Sequence, residues 1–347
     1  MNSGCYTALI TPFAGPAEAV DYAGLEKLVD FQIINGISGI LAVGTTGESP
    51  TLAPDEMHKV TQKIAQQTRG NCLCIAGTGS NNTKKSLAAT ELAATLGAEA
   101  VLLVDPYYNG PSSLEIRKEY ITPIARQFPE MTVIPYVIPG RTGAQLLPED
   151  LAVLYQQFSN VNTVKEATGN IENMKRTRSC CGADYTIFSG DDGLTFAMMT
   201  DPEIIAAGVI SVITNIAPKA VSEMVRNLRE GNREAAERLN AALEPLFNLV
   251  TVKSTEKTPY GDVECRARNP LAIKTLMAIL GLPGGPCRQP LGKMTKTGLN
   301  KVLTAARSIQ DKNPEIFQPA AEYFGIDVDE RLNNAVHLEG LFYEATY

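Results

Sequence analysis

The chain has no apolar stretch near the ~20 residues that a membrane-spanning helix needs. Its longest candidates, such as residues 39–43, have the length of buried strands, so no membrane partner is expected. Residues 1–13 place no Lys or Arg ahead of an apolar run and offer no small-residue cleavage site, so a secretory leader is not indicated and a cytoplasmic location is expected. Positive charge is not in excess either: 31 Lys and Arg face 38 Asp and Glu, a formal charge of −7. That leaves no basic surface for a polyanion to condense on, and nucleic acid is not an expected partner. Histidine is scarce. With only His58 and His337 no histidine-rich metal centre can be built, and no metal is expected. The seven cysteines, at 5, 72, 74, 180, 181, 265 and 287, are odd in number and include no C-x-x-C pair. They read mostly as buried, reduced thiols, with a strained vicinal disulfide at Cys180 and Cys181 as the minor alternative.

What is present is a globular chain of 347 residues, 44% apolar and 20% charged with both signs interspersed, long enough to bury a full core. Short apolar runs alternate with amphipathic stretches. Strands are expected at 6–11, 39–43, 72–77, 100–104, 132–137, 161–165, 185–189 and 208–212. Helical periodicity is clearest at 22–34, 54–67 and 83–96. Eight strands, each followed by a helix, predict an α/β fold of the (β/α)8 TIM-barrel type, with a doubly wound sheet as the weaker alternative. The barrel is expected over residues 1–230 and a C-terminal helical domain over 231–312; after residue 212 the pattern turns to helices, at 218–230, 233–249, 270–280 and 297–309. The polar stretch 251–268 reads as an insertion or hairpin between two of these helices. An extra segment, 313–347, carries Phe317, Tyr323, Phe324, Phe342 and Tyr343 as apolar anchors for wrapping the barrel or a neighbouring subunit.

In such barrels reactive groups sit at the C-terminal ends of strands and in the loops that follow. The second strand runs into Gly44-Thr45-Thr46-Gly47-Glu48, where two glycines permit a tight turn and expose backbone N–H groups beside two hydroxyls. Such a turn suits a carboxylate; the competing reading is an ordinary turn with Thr46 as a helix cap. It is neither a Walker motif nor a dinucleotide fingerprint. Lys165 closes the sixth apolar run. A buried ammonium is costly, so Lys165 either pairs with Glu166 or another carboxylate, or has a depressed pKa and acts as an amine nucleophile. Tyr136 ends the fifth strand, where its phenol can meet that amine as a general acid/base or simply pack its ring in the barrel mouth. Arg141, in Pro139-Gly140-Arg141-Thr142-Gly143, is either a rim guanidinium for a carboxylate or a surface loop arginine.

Several motifs carry a resemblance: Gly44 to Ser49, Asp105-Pro106-Tyr107-Tyr108-Asn109, Tyr136 with Pro139 to Gly143, Lys165 to Asn170, Ser189 to Asp192 and Gly208 to Val212. In this order and spacing, from about residue 4 to about 309, the chain resembles the dihydrodipicolinate synthase family, within the N-acetylneuraminate lyases and other class I aldolases. The resemblance implies condensation of pyruvate with aspartate 4-semialdehyde to 4-hydroxy-tetrahydrodipicolinate, on the route to lysine and diaminopimelate. No cofactor is implied, because the covalent Schiff base with Lys165 does that work. It further implies Tyr136 as proton shuttle, with Thr45 and Tyr108 as relay; Thr46 and the turn N–H groups on the pyruvate carboxylate; and Gly190 and the Ile210 carbonyl near the lysine. Arg141 matches the position that receives the aldehyde's carboxylate, and Tyr107 the residue that crosses a tight dimer interface of a homotetramer. Arg141 in its Pro-x-Arg-Thr-Gly context favours the synthase over sugar-acid and sialic-acid lyases, which remain the alternative, with a catalytically silent carboxylate-binding barrel as a third reading.

There are departures from the family pattern. Val137 stands where Asn is common, which implies different local hydrogen bonding, and 251–268 and the tail add length. At the positions of the family's lysine-inhibition pocket the chain has Pro50, Pro54, Met57 and Lys85, although Ser49, Asn81 and Tyr107 remain. An ammonium at position 85 would repel a lysine effector by about 1 kcal/mol or more, so weak or absent feedback is expected.

Overall fold

Alternating apolar residues in eight short segments give each strand one side chain for the barrel lumen and the next for the helix layer. In the computed structural model, which describes residues 1–15 and 18–345, these segments close into one parallel barrel. The strands are β1 (Gly4–Ala8), β2 (Gly39–Ala42), β3 (Leu73–Gly77), β4 (Ala100–Val104), β5 (Thr132–Val137), β6 (Thr163–Glu166), β7 (Thr186–Ser189) and β8 (Gly208–Ser211). They neighbour one another in chain order, and β8 returns to β1. Tyr6, Leu41, Ile75, Leu102, Ile134, Tyr136, Phe188 and Ile210 fill the lumen, with Tyr6 and Phe188 edge to face at 5.1 Å. Cys5, Ile40, Val101, Val133, Val164, Ile187 and Val209 face the surrounding helices in a second, larger core.

All eight expected strands are present, with two informative shifts. β1 ends at Ala8 rather than at Thr11, because the Ile10 N–H donates to Asn215 Oδ1 at 3.0 Å instead of to a strand. β6 begins at Thr163 and extends to Glu166, so Lys165 is its penultimate residue. The helices Tyr22–Ile34, Pro54–Thr68 and Thr83–Leu96 match their periodicity closely. Asp21 and Asn82 cap the first and third, accepting from the Gly24 and Lys85 N–H groups.

Beyond the barrel helix Pro218–Arg229 come Arg233–Phe247, Leu271–Leu280 and Lys296–Lys312. Residues 251–268 are a β-hairpin of β9 (Thr251–Thr258) and β10 (Gly261–Arg268). The tail packs on its own chain. Phe317 is buried, Tyr323 and Phe324 lie on Phe31 at 5.4 and 5.1 Å, and Arg331 donates to the Ala278 and Ile279 carbonyls at the end of Leu271–Leu280. Of the expected anchors Phe342 packs beside the core, while Tyr343 is exposed. No disulfide joins any of the seven cysteines, Cys180 and Cys181 included. Among the described residues no helix is long and apolar enough to cross a membrane.

Candidate active site

Parallel pairing of β5 with β6 sets Tyr136 directly beside Lys165. The Lys165 ammonium lies 4.5 Å from the centroid of the Tyr136 ring. The residue is only 3% exposed and, among the described residues, makes no ion pair. Of the two readings open from the sequence, the ion pair with Glu166 fails: the Glu166 carboxylate turns away and accepts from the Thr168 N–H at 2.7 Å and Asn173 Nδ2 at 3.0 Å. Burial therefore pulls the Lys165 amine down to about 8; Asp192 opposes the shift and Arg141 adds to it. At pH 7 such an amine is neutral in roughly one molecule in ten, against about one in three thousand for an ordinary lysine.

The Tyr136 phenol is pushed up to about 12, chiefly by burial, and is hydrogen-bonded to the Thr45 hydroxyl. It is thus protonated at neutral pH, with the Thr45 hydroxyl as its hydrogen-bond partner. Thr45 and Thr46 come from the turn after β2, entered through Val43 at φ 54°, a conformation that strains a β-branched residue. The turn is pinned from outside. Thr11 Oγ1 donates to the Gly47 carbonyl at 2.7 Å, and the Thr46 hydroxyl accepts from Asn269 Nδ2 at 3.0 Å. Glu48, also at positive φ, forms a fully buried ion pair with Lys274 at 2.7 Å, and its second oxygen accepts from the Arg288 N–H. Among the described residues the N–H groups of Thr45, Thr46 and Gly47 find no acceptor, which leaves three free donors in the turn whose Thr45 hydroxyl meets Tyr136.

Gly190 follows β7, and a Cβ there would come within 3.0 Å of Lys165 Cε and 2.8 Å of Ala167 Cβ. Only glycine leaves the amine its place. Ile210 sits on β8 in the lumen cluster that includes Tyr136. Arg141 lies at the rim on the short helix Pro139–Thr142; it donates to the Asn269 carbonyl at 3.4 Å, and Tyr136 and Arg268 are close enough to affect its charge. Tyr107 and Tyr108 stand apart from this cluster. Tyr107 is 37% exposed, whereas Tyr108, at φ 81°, is 90% exposed, so its ring projects away from the chain.

Four residues of the site carry no role in the sequence reading. Asp192, raised to about 6 by burial, accepts from the Ser211 hydroxyl and the Val212 N–H and is the carboxylate nearest in effect to Lys165. Asn269 and Lys274 anchor the turn from the C-terminal domain. Arg268, at the end of β10, donates to the Gly140 carbonyl at 3.1 Å and brings a second guanidinium to the rim. The departure at Val137 falls outside the site, because that side chain is buried in the helix-facing core. Next to it Asp105 is fully buried; it accepts from the Leu146 N–H at 3.0 Å with one oxygen, and the other has no partner among the described residues. Burial raises its carboxyl to about 8.

The arrangement offers a partly neutral amine, a phenol hydrogen-bonded to a hydroxyl, a turn with free N–H donors and a guanidinium at the rim. Comparison with known proteins points the same way. A model of the dihydrodipicolinate synthetase family matches residues 1–309. The chain is 36% identical over 306 residues to the 4-hydroxy-tetrahydrodipicolinate synthase of Methanococcus vannielii, covering 88% of this chain and 98% of that protein. Among solved structures, a dihydrodipicolinate synthase superposes with a TM-score of 0.80 at 35% identity, over 88% of this chain and 99% of the other. The 4-hydroxy-tetrahydrodipicolinate synthase of Methylacidiphilum fumariolicum superposes with a TM-score of 0.82 at 32% identity, over 92% and 99%.

Proposed function

This chain belongs to the dihydrodipicolinate synthetase family and condenses pyruvate with aspartate 4-semialdehyde to 4-hydroxy-tetrahydrodipicolinate, and we propose that it does so through a Schiff base on Lys165. The observation that carries the reading is the buried, unpaired amine against the Tyr136 ring. Its neutral fraction attacks the pyruvate ketone, and water leaves as the iminium forms. The iminium accepts the electron pair left when the methyl group loses a proton, the resulting enamine attacks the aldehyde carbon, and the amino group of the added aldehyde then displaces Lys165 from the iminium carbon, closing the ring and freeing the amine. Protonated Tyr136, hydrogen-bonded to Thr45, delivers and retrieves these protons. The free N–H groups at 45–47 and the Thr46 hydroxyl receive the pyruvate carboxylate. Gly190 and Ile210 leave room beside the amine, and Arg141 takes the carboxylate of the incoming aldehyde.

The third relay hydroxyl then comes from a second copy of the chain, within a homotetramer built from tight dimers in the cytoplasm. Of the two adjacent tyrosines, Tyr108 has the exposure and backbone geometry to reach out, and Tyr107 lies at the base of the same projection. The deciding experiment is borohydride trapping with pyruvate, read by intact mass and peptide mapping, with a coupled aspartate-semialdehyde assay on the same sample. An adduct on Lys165 with turnover is expected. An adduct without turnover would assign a different aldehyde, no adduct would refute the mechanism, and a normal pyruvate-dependent rate in Lys165→Ala would refute it as well.

A further inference from the structure

The hairpin β9–β10 supplies the rim with Arg268, yet most of its length plays no part in the chemistry. β9 buries Val252 and Ser254, and its Lys253 carbonyl accepts from Lys301 on the helix Lys296–Lys312. Both strands are edges of this two-stranded sheet; β9 has its Lys253 carbonyl taken up, whereas β10 has no outward backbone group engaged among the described residues. The ladder pairs Thr251 with Arg268 through to Thr258 with Gly261, and the Asn269 N–H donates to the Val250 carbonyl at 2.9 Å. That phase aims the backbone groups of 261, 263, 265 and 267 at β9, and those of Asp262, Glu264, Arg266 and Arg268 outward. Among the described residues nothing takes up the outward groups. An unpaired edge of this kind is a template for another strand.

The residues on the edge identify which strand. Asp262-Val263-Glu264-Cys265-Arg266-Ala267-Arg268 is complementary to itself when reversed about Cys265. Antiparallel pairing centred there sets Asp262 of one copy opposite Arg268 of the other and Glu264 opposite Arg266. Each ion pair occurs twice, and all four lie on one face. The same register makes 262/268 and 264/266 the hydrogen-bonded pairs, which are the positions whose backbone groups point outward. On the opposite face Val263, 40% exposed, meets Ala267. Neighbouring registers in the same hydrogen-bond phase fail, because centring on 264 opposes Glu264 to itself and centring on 266 opposes Arg266 to itself. A slip by one residue sets outward groups against inward ones.

We propose that β10 pairs with β10 of a second copy about a two-fold axis at Cys265, joining two hairpins into one four-stranded sheet. Because Arg268 also holds the Gly140 carbonyl beside Arg141, the contact reaches the active-site rim, and Asp262 of the other copy offsets the second positive charge there.

The test uses full-length protein carrying Cys265→Ser. Val263→Cys with Ala267→Cys in one chain should form an interchain disulfide under mild oxidation, mapped by mass to the 263–267 peptide pair. Within one strand those positions lie roughly 13 Å apart and cannot bridge. Each single substitution should give at least about tenfold less linked dimer. Adding Glu264→Arg should reduce linking by about tenfold, and adding Arg266→Glu as well should restore it. Equal linking in the single variants, no 263–267 link in the double, or indifference to Glu264→Arg would overturn the pairing. A second measurement needs no cysteine substitution. In the wild-type protein the amides of Asp262, Glu264 and Arg266 should be protected from hydrogen exchange, and Glu264→Arg should release them while leaving 263 and 265 protected. Free exchange at 262, 264 and 266 in the wild type would overturn the proposal by itself.

Discussion

If burial sets the Lys165 amine to about 8, the rate of imine formation with pyruvate must follow the neutral fraction of that one group. The observed rate of borohydride-trapped adduct should rise tenfold per pH unit below the inflection and level off near 8, well short of the ordinary lysine range. Two substitutions then move the inflection in opposite directions. Asp192 favours the ammonium, so Asp192→Asn should bring the inflection below 8; Arg141 disfavours it, so Arg141→Gln should take it above 8. An inflection one pH unit lower raises the neutral fraction at pH 7 about fivefold and one a unit higher lowers it about ninefold, so Asp192→Asn should speed adduct formation at neutral pH, and Arg141→Gln should slow it before any effect on the aldehyde. Asparagine can still accept from Ser211 or Val212, which preserves the loop. The assay is quench-flow trapping from pH 6 to 10, read by intact mass. A profile still rising through pH 10, or both variants moving the inflection the same way, would refute the argument that desolvation activates this lysine.

Removing the phenol in Tyr136→Phe should cut turnover by roughly 10²-fold in the coupled assay, and Thr45→Val should cost less because the phenol itself remains. Lys274→Met should destabilise the fold by about 3–5 kcal/mol in denaturant unfolding, because it strips Glu48 of its buried counter-ion and also the Thr11 and Pro286 carbonyls of their donor. Adding Glu48→Gln to that variant should recover part of the loss, and a single-variant cost under about 1 kcal/mol would refute a structural role for the pair. Asp105 has its carboxyl raised in the folded state, so the native chain binds its proton more tightly than the unfolded one. Its contribution to stability is present below the ordinary carboxylate range and is lost as pH rises towards about 8. The melting temperature of Asp105→Asn should therefore gain on the wild type across that window, and a constant difference would count against this. L-lysine at millimolar concentration should leave the rate unchanged, given Pro54, Met57 and Lys85; a halved rate would show the opposite.

The barrel was readable because its signal is local: each strand is an apolar run bounded by turn residues, and each helix repeats at its own period. Lys165 and Tyr136 were readable for the same reason, as polar residues ending such runs. Strand limits were less so, since β1 stops where Asn215, 205 residues away, captures the Ile10 N–H. The charge state of Lys165 was open for a related reason. Position 166 supplies a carboxylate next in sequence, but strand alternation turns it to the other side, and the groups that do act on the amine, Asp192 and Arg141, arrive from other loops. Support for the carboxylate turn is further still: Asn269 reaches Thr46 across 223 residues, and Lys274 reaches Glu48 across 226. Asn269 follows directly on β10 and Lys274 comes six residues after it ends, in the next helix, so the hairpin that lengthens this chain ends close to where the turn is braced and where Arg268 meets the Arg141 loop. A change in how the hairpin pairs is therefore coupled through two or three residues of backbone to the groups that hold both substrates. Hairpin variants should consequently move KM values as well as assembly, although the hairpin meets the site at its rim, through Arg268 and the Arg141 loop.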